Sequence, residues 1–167
     1  IRRNKIMLCT TPTKYFFAAG CSNGFTTLNA FDGALLKAGV GNTNLVRMSS
    51  ILPPKCIEIN PIKLPYGALI PVAYASITSE TPEEIISSAV AICFPKDETK
   101  PGLIMEFSDK TSQQYAEEKV RKMAEKGMIM RGEEVKEIRS ISVENKVEIT
   151  DTSWPASATW AGVVLWY

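Results

Sequence analysis

The sequence predicts an α/β (α+β) fold, a layered α/β/β/α sandwich built from two similar β-α-β-β units, on three observations. Apolar runs of strand length flank two stretches of helical periodicity. Glycine and proline clusters punctuate the boundaries between them. No composition break or linker divides the 167 residues, whose 45% hydrophobic content supports one core and one domain over 1–167.

The elements follow in order. Tyr15-Phe16-Phe17-Ala18-Ala19 reads as a buried strand, with Cys21-Ser22-Asn23-Gly24 as the turn after it. Thr26 to Ala38 reads as a helix, because Leu28, Phe31, Leu35 and Ala38 fall at steps of three and four and Gly39 stands where a helix end favours positive φ. Asn44 to Leu52 resumes strand character and Pro53-Pro54 stops it. Pro61 and Pro65 bound a loop, and Ala68 to Thr78, Ile85 to Phe94 and Gly102 to Ser108 are further strands. Thr111 and Gln114 have capping-box spacing, and Tyr115, Lys119 and Met123 trace a helix toward Gly127 as its terminator. Val135 to Ile149 and Ala158 to Tyr167 complete the chain as strands.

Composition narrows the chemistry. The chain contains no histidine, which removes Ser-His-Asp and Cys-His constellations, His-ligated zinc and imidazole as a general base. Four cysteines, at 9, 21, 56 and 93, form no Cys-x-x-Cys pair, so the expectation is reduced, mostly buried thiols in a cytoplasmic protein. A formal charge of +1 predicts neither a nucleic-acid nor a membrane partner, and no stretch approaches the ~20 apolar residues of a membrane span. Ile1 to Met7 is basic, with an apolar run too short for a signal peptide.

Several residues stand out against this background. Gly39, Gly41 and Asn44 imitate a dinucleotide fingerprint, but they leave a helix to enter a strand, which reverses the required order. Asp32 lies four residues after Leu28 and three before Leu35, on the helix stripe expected to face the core. A buried acid needs a partner, either an internal hydrogen bond or ion pair or a cationic ligand. Glu106 is the lone charge in Gly102-Leu103-Ile104-Met105-Glu106-Phe107 and shares a face with Ile104. Buried there, its carboxyl would hold a proton to higher pH and act as a donor; on an edge strand it would sit in water. Ser49-Ser50, by composition alone, is a polar pair near a turn.

Taken together, Leu28-Asn29-Ala30-Phe31-Asp32-Gly33-Ala34-Leu35-Leu36, Ala38-Gly39-Val40-Gly41-Asn42-Thr43-Asn44-Leu45-Val46 and Ser49-Ser50-Ile51-Leu52-Pro53-Pro54 resemble the pyruvoyl-dependent arginine decarboxylases. Lys63-Leu64-Pro65-Tyr66-Gly67-Ala68-Leu69, Gly102 to Glu106 and Leu165-Trp166-Tyr167 look like later motifs of that family. The resemblance implies self-cleavage between Ser49 and Ser50, giving a β chain of 1–49 and an α chain of 50–167. It implies that the Ser50 hydroxyl attacks the Ser49 carbonyl, that the ester formed by this N-to-O shift eliminates, and that residue 50 hydrolyses to a covalently bound pyruvoyl group. Neither a metal nor pyridoxal phosphate is expected.

By the same resemblance, Asn44 stabilises the oxyanion of cleavage, Glu106 protonates the carbon that loses carbon dioxide, and Asp32 grips the substrate guanidinium. Leu35, Gly41, Thr43 and Ile104 line the pocket. The implied reaction converts L-arginine to agmatine and carbon dioxide in polyamine biosynthesis, in trimers of αβ protomers with active sites between subunits. Two alternatives stay open on the sequence: a pyruvoyl enzyme acting on another amino acid such as histidine, and a ligand-binding homologue that never cleaves.

Overall fold

The computed structural model describes residues 10–148 and 153–167; the Ile1–Met7 reading, Cys9 and the end of the expected 135–149 strand lie outside them. The element order is β1 (Lys14–Gly24), α1 (Thr27–Lys37), β2 (Asn44–Arg47), β3 (Ile51–Leu52), β4 (Ile57–Glu58), β5 (Leu69–Ser79), β6 (Ile85–Pro95), β7 (Gly102–Asp109), α2 (Gln113–Met130), β8 (Val135–Lys146) and β9 (Ala156–Trp166). The strands form two sheets, ordered β2-β5-β9-β1-β4 and β3-β7-β6-β8.

Three apolar layers hold the sandwich together. Ala30, Ala34 and Leu35 of α1 pack with Phe16, Val72 and Trp160 on the outer face of the five-stranded sheet. Tyr15, Ala73, Val90, Ile92, Ile104, Ala161 and Val163 fill the space between the sheets. Ala116, Val120, Ala124 and Met128 of α2 close over Ala89, Ala91 and Leu103 on the far side. This is the α/β/β/α order, and the side-chain alternation of each strand supplies both of its faces. Buried hydroxyls are satisfied across the middle layer, where Ser88 Oγ meets Thr159 Oγ1 at 2.8 Å and Ser108 Oγ donates to the Ser76 carbonyl at 3.1 Å.

The two expected units do not each make their own sheet. The C-terminal β9 sits at the centre of the first sheet between β5 and β1, while β3 of the N-terminal half joins β7 in the second. Cys21 to Gly24 is strand rather than turn, because each of these residues pairs with β9, from Thr159 to Ala156. Asn44 to Leu52 is likewise two strands: Arg47 is the last residue of β2 paired with β5, and the chain then crosses to the other sheet, where Ile51 opposes Leu103.

Helix boundaries also moved. The cap of α2 is Ser112, whose side chain accepts from the Tyr115 amide, rather than Thr111. Gly127 lies inside α2, buried against Leu103, and Gly132 with φ +73° follows the helix end instead. At α1 the expectation holds: Thr26 caps the start, and Gly39 with φ +79° follows the Ala38 C-cap. Of the described cysteines only Cys93 is buried, with Cys21 and Cys56 half-buried, and all three are free thiols.

Candidate active site

The link between β2 and β3 is three residues, Met48, Ser49 and Ser50, and spans the gap between the sheets. It is held at both ends. The Met48 amide donates to the Val72 carbonyl at 3.0 Å on the first sheet, and the Ser50 carbonyl accepts the Ile104 amide at 2.8 Å on the second. Between these anchors the Ile51 amide donates back to the Ser49 carbonyl at 3.1 Å, a three-residue turn centred on half-buried Ser50.

The anchor on β7 brings Ser50 beside two of the expected residues. Ile104 is fully buried between the sheets, and Glu106 is two residues on, with its side chain on the same face and about 7 Å further along the strand. Glu106 opposes Val90 of β6 and is half-buried. Burial raises its pKa above the usual glutamate value, against a smaller opposing effect of the Arg47 guanidinium. In this environment a carboxyl keeps its proton to higher pH.

Arg47 itself carries no role in the sequence reading. Its guanidinium stacks over the Tyr74 ring, 4.6 Å from the centroid, and donates through Nη2 to the Tyr74 carbonyl at 2.9 Å. The available signal was a single cation closing the strand Asn44-Leu45-Val46-Arg47, two residues before the serine pair begins.

A second group of expected residues gathers at the start of β2. Thr43 Oγ1 donates to the Val40 carbonyl at 2.7 Å, and the Asn44 amide side chain donates to the Gly67 carbonyl at 3.0 Å. Asn44 Nδ2 therefore bonds the loop before β5 within one chain, not the Ser49 carbonyl. Gly41 approaches Leu36 so closely that a Cβ would stand 2.7 Å from its backbone nitrogen. Leu35 is packed in the core beneath α1 rather than lining an open surface.

Asp32 contradicts its expected placement. It is exposed, because Ala30 and Ala34 are the fully buried residues of α1, and Leu28 is 73% exposed on the same outward stripe. Asp32 lines a shallow groove of about 470 Å³ with Ser22, Asn23, Asn29, Leu36 and Trp154. Since α1 covers the outer face of the five-stranded sheet and Glu106 lies under its inner face, the two carboxylates are separated by a helix and a sheet. With layers about 10 Å apart, that separation exceeds the roughly 6 Å an arginine spans from Cα to guanidinium carbon. Asp32 and Glu106 therefore lie in different layers of the chain.

A more enclosed cavity of about 260 Å³ lies elsewhere, toward the Gly102 end of β7, lined by Cys56, Phe94 and three lysines. None of the expected site residues faces it. Among the described residues no cluster of three or more carboxylate or thiol side chains could hold a metal ion.

The chain as a whole has known relatives. The family model for pyruvoyl-dependent arginine decarboxylase matches residues 14–166. The chain belongs to this family. A pyruvoyl-dependent arginine decarboxylase of Methanocaldococcus jannaschii is 51% identical over 150 residues, covering 89% of this chain and 90% of the relative. One from Pyrococcus abyssi is 42% identical over 163 residues, covering 96% and 100%, and one from Methanococcus maripaludis is 42% identical over 149 residues, covering 89% and 91%. No helix among the described residues is long and apolar enough to cross a membrane.

Proposed function

We propose that this chain cleaves itself between Ser49 and Ser50 and then decarboxylates L-arginine to agmatine and carbon dioxide. The observation that carries the reading is the bond from the Ile104 amide to the Ser50 carbonyl, which seats the serine on the strand that bears Glu106. Family membership supplies the reaction class.

In the first stage the Ser50 hydroxyl adds to the Ser49 carbonyl carbon, the Ser49–Ser50 amide C–N bond breaks, and an ester remains. Removal of the Ser50 α-proton expels the Ser49 carboxylate and leaves dehydroalanine at 50; its imine tautomer takes up water and releases ammonia, giving the pyruvoyl terminus. Asn44 is our candidate for a second donor to the oxyanion, beside the Ile51 amide that already reaches the Ser49 oxygen.

When formed, the pyruvoyl group supplies an electron sink for the charge left as carbon dioxide departs. Glu106 holds the proton delivered to that carbon, and burial keeps it on the carboxyl above the usual glutamate range. Ile104 and Val90 exclude water from the same face. Asp32 of a second copy takes the guanidinium, whose planar donors suit a carboxylate. Thr43 and Gly41 shape the approach from that copy.

Our reading includes self-association, supported by the placement of Asp32 and Glu106 on opposite sides of the five-stranded sheet in one chain. Large apolar side chains are left on the surface, with Phe25 67% exposed, Leu28 73%, Tyr66 77% and Leu69 69%. We read a ring of three copies as the working form. We place the reaction in the cytoplasm, where thiols such as Cys93 stay reduced. Denaturing intact-mass analysis tests the cleavage, and detection of agmatine on incubation with arginine tests the reaction. A single 167-residue species that forms no agmatine overturns the reading.

A further inference from the structure

We propose that Arg47 is a positioning residue for the self-cleavage, fixing through its clamp on Tyr74 the point at which the chain leaves the first sheet and so the seat of Ser49-Ser50 against β7. This rests on the reading that the cut falls between those serines.

The pairing of β2 with β5 ends at Arg47 opposite Val72, and the next residue, Met48, makes the last backbone bond to that sheet. Beyond it the edge of β5 has no strand partner, and its Tyr74 carbonyl would face solvent. Arg47 occupies that edge with two contacts at once, its Nη2 on the carbonyl at 2.9 Å and its planar face on the ring at 4.6 Å. Tyr74 is itself backed by Trp160, with ring centroids 5.5 Å apart, and Trp160 is fully buried. The clamp therefore ties the start of the link to the core of the first sheet, two residues before Ser49. The other end is tied to the second sheet by Ile104. A tether fixed at both ends restricts the Ser49-Ser50 peptide to the orientations an intramolecular attack needs, and small displacements of such groups cost rate steeply.

The same guanidinium bears on Glu106. Glu106 opposes Val90 of β6 and shares a face of β7 with Ile104 and Ser108, and Arg47 is the charged group acting on its carboxyl among the described residues. It favours the carboxylate and partly offsets burial. Removing the cation takes away the larger of the two effects that oppose burial and moves the protonation of Glu106 to higher pH.

Position and charge are separable by substitution. Arg47→Lys keeps the charge but cannot stack a plane on Tyr74 while forking to its carbonyl. Self-cleavage, followed by denaturing mass analysis of freshly synthesised chain, should slow at least tenfold and toward about 10²-fold in Arg47→Lys and Arg47→Met. In the cleaved fraction, the alkaline limb of the kcat profile should stay in place for Arg47→Lys and move to higher pH for Arg47→Met. Cleavage within twofold of the parent in both folded variants overturns the positioning role. Should Arg47→Met fail to fold, Tyr74→Leu removes the same clamp from the other side; slowed cleavage is again expected, and parent-like cleavage in the folded variant overturns the proposal. A parent chain that never cleaves refutes the pyruvoyl reading instead, before any comparison with variants.

Discussion

The Ser50 carbonyl accepts the Ile104 backbone amide at 2.8 Å, which joins a short crossover from the first sheet to the strand that carries Glu106 in the second. In the function we propose, the residue to be converted and the acid to serve it are registered by backbone pairing rather than by side-chain fit. Side-chain replacement at either position should leave that register in place, so loss of chemistry can be read separately from loss of fold.

Ser50→Ala should abolish cleavage and give one full-length species by denaturing mass analysis, while its thermal unfolding stays near that of the uncleaved parent. Asn44→Ala should slow cleavage by about 10²–10³-fold if Asn44 reaches the Ser49 oxygen in the assembled protein. A change below threefold would leave the Ile51 amide as the oxyanion donor and confine Asn44 to its bond with Gly67.

Glu106→Gln should permit cleavage and lower kcat by about 10²–10⁴-fold. In the parent, kcat should fall as pH rises through the elevated pKa of Glu106, since the protonated form is the donor. Stability carries the same sign: an acid whose folded pKa is raised contributes stability that is present below its unfolded pKa and lost as pH rises through the folded one. Melting curves at pH 8 should therefore show Glu106→Gln more stable than the parent, and the difference should vanish toward pH 4. Identical melting at both pH values would place the carboxyl in water.

Asp32→Asn should raise KM for arginine by tenfold or more without changing the rate of self-cleavage, because losing a charge-assisted pair to a guanidinium costs about 1.5–3 kcal/mol. Co-expression of Asp32→Asn with Glu106→Gln offers a sharper measurement. If each site takes Asp32 from one copy and Glu106 from another, random mixed rings contain intact sites at about a quarter of positions, and activity reappears. Activity no greater than that of the separate variants would place both residues in one chain's site.

Gly20→Ala should be among the most destabilising single changes outside the site, because its Cβ would lie 2.2 Å from the Ala34 carbonyl oxygen of α1. Forcing the helix off the sheet costs about 1–3 kcal/mol or more, a drop of several degrees in Tm. Gly39→Ala meets no atom within 4 Å and strains only its φ of +79°, so a loss near 1 kcal/mol is expected. Equal effects of the two would mean that contact between α1 and β1 is looser than the geometry indicates.

That glycine contact also explains what the residues did and did not disclose. The long strands were legible because Ile85 to Phe94 and its counterparts are apolar runs of the right length. The phase of α1 was not. Leu28 and Leu35 suggested a core stripe including Asp32, but β1 brings Gly20 and Gly24 against the helix, and only small residues such as Ala30 and Ala34 fit at that distance. Asp32 turned outward as a consequence, and the burial argument for its role gave way to one of position. Cys21 to Gly24 read as a turn by residue type, yet pairing with β9 from the far end of the chain holds them extended. The break at Met48 to Ser50 had no local marker, since it depends on β5 ending one pairing and β7 offering another. Glu106 was legible because one charge in an apolar strand must lie on one of two faces.

The position of Ser49-Ser50 in the crossover has a consequence for the life of the molecule. Residues 1–49 hold β1, α1 and β2, and β1 lies between β9 and β4 with eleven residues paired to β9. A cut in the link therefore releases no strand, but it turns a folding problem with one participant into one with two. Before it, reassembly after unfolding is a first-order event; afterwards the two peptides must find each other, and recovery depends on their concentration. Heated after processing and cooled at high dilution, the protein should fail to regain its fold under conditions in which the uncut Ser50→Ala chain recovers, so that its durability becomes a matter of how slowly it comes apart.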